Sequence, residues 1–179
     1  MNPLKPEEAL FLQQQALRSL KSEHAITKRV IQAVPVDKGD YRPDAVSKSA
    51  LDLAWHIASA ENFFLSAIAD GEFRAGSPRP ENIRNSADVA AWHTEQFDAN
   101  YDRIANLSAE QLSKIVDFRG FMQQPAIAYA QFCLHHEIHH RGQLSAYLRP
   151  MGAKVPSIYG ESHDDAEARK SRELETQSA

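Results

Sequence analysis

A single cysteine, Cys133, in 179 residues excludes any internal disulfide and makes a reducing, cytoplasmic setting the default. Long apolar runs are missing as well. The longest, residues 50–69, is broken by Asp52, His56, Glu61 and Asn62, so no segment reads as a membrane span. The first residues, MNPLKPEEALF, lack the apolar centre of a secretory leader. Charge of one sign is scarce: the net charge is −4, and Lys and Arg are scattered rather than massed. That argues against a nucleic-acid partner, which needs a basic face. The remaining composition, 42% hydrophobic and 25% charged, is that of a soluble globular protein long enough to bury one core.

What is present is helical. A first helix is predicted over about Glu7–Ala33, with Pro6 at its start and Pro35 beyond its end. A second is capped by Ser47 or Ser49 and runs to Asp70, where Gly71 stops it. Residues 71–86, GEFRAGSPRPENIRNS, are too rich in Gly, Pro, Ser and Asn for regular structure. Ser86 or its neighbour opens a third helix. The connection SAEQLSKIVDFRGFMQQ holds a short helical turn or an extended piece. Pro125 then opens a fourth helix reaching Arg149, ended by Pro150 and Gly152. No alternating strand pattern is evident. The expectation is an all-α antiparallel four-helix bundle over residues 1–163, followed by a polar tail over 164–179, frayed or a solvated helix.

Four of the eight histidines crowd into HHEIHH, residues 135–140. At about 100° per residue, His136 and His140 fall on one stripe with Tyr129, Phe132, Gln143 and Tyr147, while Cys133 and Leu144 lie just beyond it. His135 and His139 share a different strip with Ala128, Gly142 and Ala146, small residues that suggest a closely packed helix or second subunit. Side chains at i and i+4 meet. The pair His136 and His140 can therefore be a hydrogen-bonded core pair or two ligands of one cation. A metal needs a third ligand from a facing helix, and His56, on the second helix among Leu53, Ala60, Phe63, Phe64 and Ala67, is the candidate. His24, beside Glu23, and His93, beside Trp92, read as solvated or locally hydrogen-bonded.

The same residues also satisfy H-E-x-x-H, with His136 and His140 as zinc ligands and Glu137 as base of a peptidase. That reading requires a downstream ligand, for which only Glu161 and His163 are available, and a substrate-aligning sheet of which the sequence gives no sign.

LAWHIASAENFFLSAI and HHEIHHRGQLSAYLRPMGAKVPSIYG resemble the DinB/YfiT-like superfamily over about residues 5–160. The resemblance implies a four-helix bundle, commonly a homodimer, that holds a divalent metal, nickel or zinc, between His56, His136 and His140. Characterised relatives include transferases and isomerases that use low-molecular-weight thiols; others have no assigned reaction. The implied function is a metal-dependent, thiol-dependent S-transferase or a hydrolase acting on a small molecule, with a non-catalytic metal-stabilised stress-response or binding module as the alternative. Three histidines leave one position open on a tetrahedral metal. Gln143 can orient a ligand there but cannot act as a base. Glu137 and Glu61 are candidate partners for ligand N–H groups, although solvated surface carboxylates are the simpler identity for both. Cys133 reads as a buried structural thiol.

Overall fold

The computed structural model describes residues 4–177; the outermost ends of the expected domain and tail, residues 1–3 and 178–179, lie outside them. Four long helices form the body: α1 (Pro6–Gln32), α2 (Ala50–Asp70), α3 (Ser86–Ala105) and, after a short α4 (Ala109–Ser113), α5 (Tyr129–Leu148). Between α4 and α5 lie two strands, β1 (Ile115–Phe118) and β2 (Met122–Pro125), and a final helix α6 spans His163–Gln177.

Local chemistry fixes these ends. Pro6 occupies the first turn of α1, where its missing N–H costs nothing, and the Glu8 carboxylate accepts from the Lys5 N–H at 2.9 Å. Of the two serines considered for α2, Ser49 is the cap: its hydroxyl accepts from the Asp52 N–H at 3.1 Å. Gly71 closes α2 at φ +70°, a left-handed conformation that glycine adopts without penalty. At α3 the cap is Asn85, whose side chain accepts from the amides of both Ala87 and Asp88.

Helix directions follow from the contacts. The Gln13 amide donates to the Ile104 carbonyl and the Ser86 hydroxyl to that of Val34, so α1 and α3 run antiparallel. Trp55 meets Trp92 and Asn62 accepts from Asn100, so α2 and α3 run parallel. His56 meets His140 and Phe64 meets Phe132, so α2 and α5 run antiparallel. The bundle is thus up–down–down–up. A parallel α2–α3 pair requires a connection that returns the full helix length, which is why residues 71–85 form a long, irregular crossover.

Two buried apolar clusters fill the bundle. One joins Leu20, Leu65, Ile68, Ile104, Tyr129 and Leu134; the other joins Ile31, Leu53, Ile57, Val89, Leu144 and Leu148. The segment read as either turn or extended piece contains both, a helical turn and then the antiparallel β1–β2 hairpin. Its strands are too short and too variable in hydrophobicity to produce an alternating signal. The buried Tyr129 hydroxyl clamps the hairpin by donating to the carbonyls of Val116 (2.9 Å) and Met122 (3.1 Å). Pro125 therefore precedes a 3-10 turn, Ala126–Ala128, and α5 itself starts at Tyr129. The tail is helical, and its start is tied back: Asp164 accepts from Arg149 and the Val155 amide, and Asp165 from Ser157. Among the described residues no helix is long and apolar enough to cross a membrane.

Candidate metal centre

His56 from α2 and His136 and His140 from α5 converge, each offering one ring nitrogen, with the three nitrogens within 4.8 Å of one another. Ring centroids lie 4.9 Å apart for His56–His136, 4.5 Å for His56–His140 and 4.4 Å for His136–His140. The i,i+4 spacing on α5 stacks two of them, and the antiparallel α2 brings the third across. All three are half-buried.

The electrostatics suit a cation's ligands. Burial holds the His56 imidazole near pKa 4, helped by the charges of His140 and Lys48. Burial likewise holds His136 at about 4, with His140, His56 and His139 adding to it. At neutral pH these rings are uncharged and their lone pairs are free. His140 is oriented from behind: its Nδ1 donates to the Gln143 side-chain carbonyl at 2.8 Å, and its Nε2 faces the His56 Nε2 at 3.2 Å. A hydrogen bond that fixes the tautomer and leaves the inner nitrogen bare is the usual support for a metal-binding histidine. The donor set fits a divalent metal.

Other expected residues fall elsewhere. Glu137 is one residue on from His136, about 100° round the helix. It points into the core toward α1 and is 1% exposed. It is not a surface carboxylate, and the buried side of α5 that it occupies differs from the half-buried face that carries the triad. Glu161, exposed, pairs with Arg169 at 2.9 Å. His139 accepts from the Gln143 amide at 3.2 Å on the outer face. On the strip of small residues, a side chain at Gly142 would meet nothing within 4 Å among the described residues. Cys133 is buried as expected, and its thiol is pushed well up by burial and by the charges of Glu61 and Glu137.

A cavity of about 650 Å³ opens beside His56, walled by Trp55, Phe63 and Trp92, with Asn62, Arg74 and Arg119 among its polar groups. The two indoles sit 4.6 Å apart. Arg119 stands at the tip of the β1–β2 hairpin with φ +52°, next to Gly120 at +77°, and its guanidinium lies 5.3 Å from the Phe63 ring centroid. Three residues, Arg119 to Phe121, join the strands; the Phe121 N–H donates to the Phe118 carbonyl at 2.9 Å, and both central residues of that turn have positive φ.

The sequence profile of the DinB family matches residues 6–175. This chain belongs to the DinB family. An uncharacterised protein of Bacillus subtilis strain 168, YjoA, is 28% identical over 134 residues, covering 73% of this chain and 85% of that protein. A second uncharacterised protein of the same strain, YrdA, is 28% identical over 116 residues, 63% of this chain and 67% of the relative. The crystal structure of YjoA, described as DinB-like, superposes with a TM-score of 0.66 at 23% identity, covering 83% of this chain and 99% of YjoA. A DinB-like protein from Bacillus cereus ATCC 10987 gives 0.68 at 23% identity, covering 82% and 97%. At that identity the structures share the fold.

The DinB bundle also holds a set of residues that the sequence reading placed outside the core. His24, Glu61 and His93, from α1, α2 and α3, are 6%, 2% and 1% exposed. They are not solvated. The Glu61 carboxylate accepts from His24 Nδ1 at 3.1 Å and touches His93 Nε2. Burial pushes Glu61 toward its neutral acid, but the imidazoles of His93 and His24 outweigh it and hold its pKa below the ordinary value. The signal for burial was in each residue's own helical face: Leu20, Thr27 and Ile31 flank His24, and Val89, Ala90 and Phe97 flank His93. Sequence neighbours such as Glu23 and Trp92 drew attention from residues three and four positions away, which decide which way a helical side chain points.

Proposed function

We propose that this DinB-family protein is a metal-dependent enzyme whose divalent ion, nickel or zinc, is held by His56, His136 and His140, and which acts on a small molecule as a thiol-dependent S-transferase or a hydrolase. The observation that carries this reading is the convergence of three half-buried imidazoles, two of them held neutral by burial, with His56 lining a cavity large enough for a small ligand. When bound, such an ion supplies Lewis acidity that makes a thiol or a water a nucleophile at neutral pH.

The chain's own residues define the rest. Gln143 holds the His140 ring so that Nε2 faces inward. Trp55, Trp92 and Phe63 exclude water from one wall and offer flat apolar surfaces to a substrate. Arg119 presents its guanidinium to that cavity, suited to a carboxylate or other anionic group on a thiol or its acceptor, whereas Arg74 is paired with Glu72 and Asp70. Neither histidine that could have closed the ligand set sits there: His93 is engaged by Glu61, and His139 by Gln143. A position left for an outside ligand favours chemistry over a purely structural metal.

Calorimetric titration with a small thiol such as glutathione tests this. Metal-loaded protein should bind the thiol, chelator-stripped protein should not, and Trp55→Ala should weaken binding while keeping the metal. Equal binding with and without metal would contradict the proposal.

A further inference from the structure

The deeper set of ligand-type residues lies apart from the triad. His24, Glu61 and His93 come from three different helices and are all more than nine-tenths buried, and each offers one ligand atom within 4.8 Å of the others. Such a set at the middle of a bundle needs a counterpart. A buried carboxylate and two buried imidazoles are costly to desolvate unless their polar atoms are satisfied. Within the protein they are satisfied only in part. Glu61 is paired with His24 Nδ1 and His93 Nε2, while His24 Nε2 and His93 Nδ1 are buried without any partner.

A second carboxylate adds to the imbalance. Glu137, from the fourth long helix, is 1% exposed, and neither of its oxygens has a hydrogen-bond partner. The nearest buried cation, Arg141, is already committed to Glu23 at 2.6 Å, to Thr27 at 3.2 Å and to the Tyr159 hydroxyl at 2.6 Å.

We infer that His24, Glu61 and His93 form a second, buried site for a divalent first-row transition metal. Two imidazoles and a carboxylate are a ligand set suited to zinc, cobalt or iron(II). Ligands about 2.1 Å from a tetrahedral ion stand about 3.4 Å apart, so the Glu61–His24 spacing of 3.1 Å needs only a small adjustment and the His93 ring needs to withdraw. Ligands drawn from α1, α2 and α3 would tie these three helices together through one ion, a structural role distinct from the open triad.

The test is metal content of the full, untagged chain, refolded from denaturant with zinc and then given a brief wash with a weak chelator, mild enough to leave the triad loaded while clearing ion from the exposed His135 and His139 pair. Wild type should retain two equivalents. His136→Ala/His140→Ala, which removes the triad, should retain one, and adding Glu61→Gln to it should leave none. The remaining ion in the triad variant should resist chelator and raise its melting temperature. One equivalent in wild type and none in the triad variant overturns the inference, and makes His24–Glu61–His93 a proton-bridged core set. One equivalent that survives triad removal and disappears with Glu61→Gln supports the inner site and defeats the triad reading instead. If the Glu61→Gln combination does not fold, the triad variant alone decides: one chelator-resistant equivalent supports the inner site, none refutes it.

Discussion

His140 donates its Nδ1 proton to the Gln143 side-chain carbonyl at 2.8 Å, one turn further along the same helix. The bond leaves Nε2 as the lone-pair nitrogen, turned toward His56. Gln143 is a positioning residue for the triad. Gln143→Leu removes that orientation, and loss of such a supporting partner weakens metal binding by about 10- to 100-fold. Gln143→Glu retains an acceptor and should restore most of the affinity. Competition against a chromogenic chelator measures both.

Acid should loosen the metal-free chain. His56 and His136 are held near pKa 4 in the fold, below the ordinary histidine value, chiefly by burial. The unfolded chain therefore binds more protons than the folded one between about pH 6.5 and 4, and the stability these rings permit above that range is lost as pH falls through it. The melting temperature of the stripped protein should fall over this window, and His56→Ala/His136→Ala should flatten the slope.

Arg141 anchors the segment after α5. It is 1% exposed, and it donates to Glu23 on α1 and to the hydroxyl of Tyr159. Removing one partner of a buried pair costs about 3–5 kcal/mol. Arg141→Met should sit near the lower end, because Glu23 keeps some exposure. Urea denaturation gives the loss, and hydrogen exchange should show residues 153–162 opening first.

Leu144 is fully buried in the core cluster to which α1, α2, α3 and α5 all contribute. Leu144→Ala should cost about 2–5 kcal/mol, transfer and cavity contributions together, and should leave the triad's metal affinity nearly unchanged at temperatures where the variant is folded.

Helix count and most helix ends were legible in the sequence, since caps such as Ser49 and Gly71 act through a few neighbouring residues. The three histidines of the triad were legible for a related reason: a fixed advance per residue places His136 over His140, and an apolar face marks His56 as inward. The hairpin was not, because β1 and β2 depend on the Tyr129 hydroxyl, which acts from outside their own residues. Nor was the direction of Glu137. Its place in a zinc-peptidase pattern suggested chemistry, whereas its angle on α5 sends it toward α1 and the buried polar set. His24, Glu61 and His93 belong to three helices far apart in sequence, and no local pattern joins them before the bundle closes.

Metal analysis of the untagged protein beside its His56→Ala variant, both loaded with zinc and chelator-washed under mild conditions, tests the triad most directly. His56→Ala should hold one equivalent fewer than wild type while keeping the same helical circular-dichroism spectrum. Equal metal in the two proteins would contradict a site that bridges α2 and α5 and, with it, the chemistry proposed for this fold.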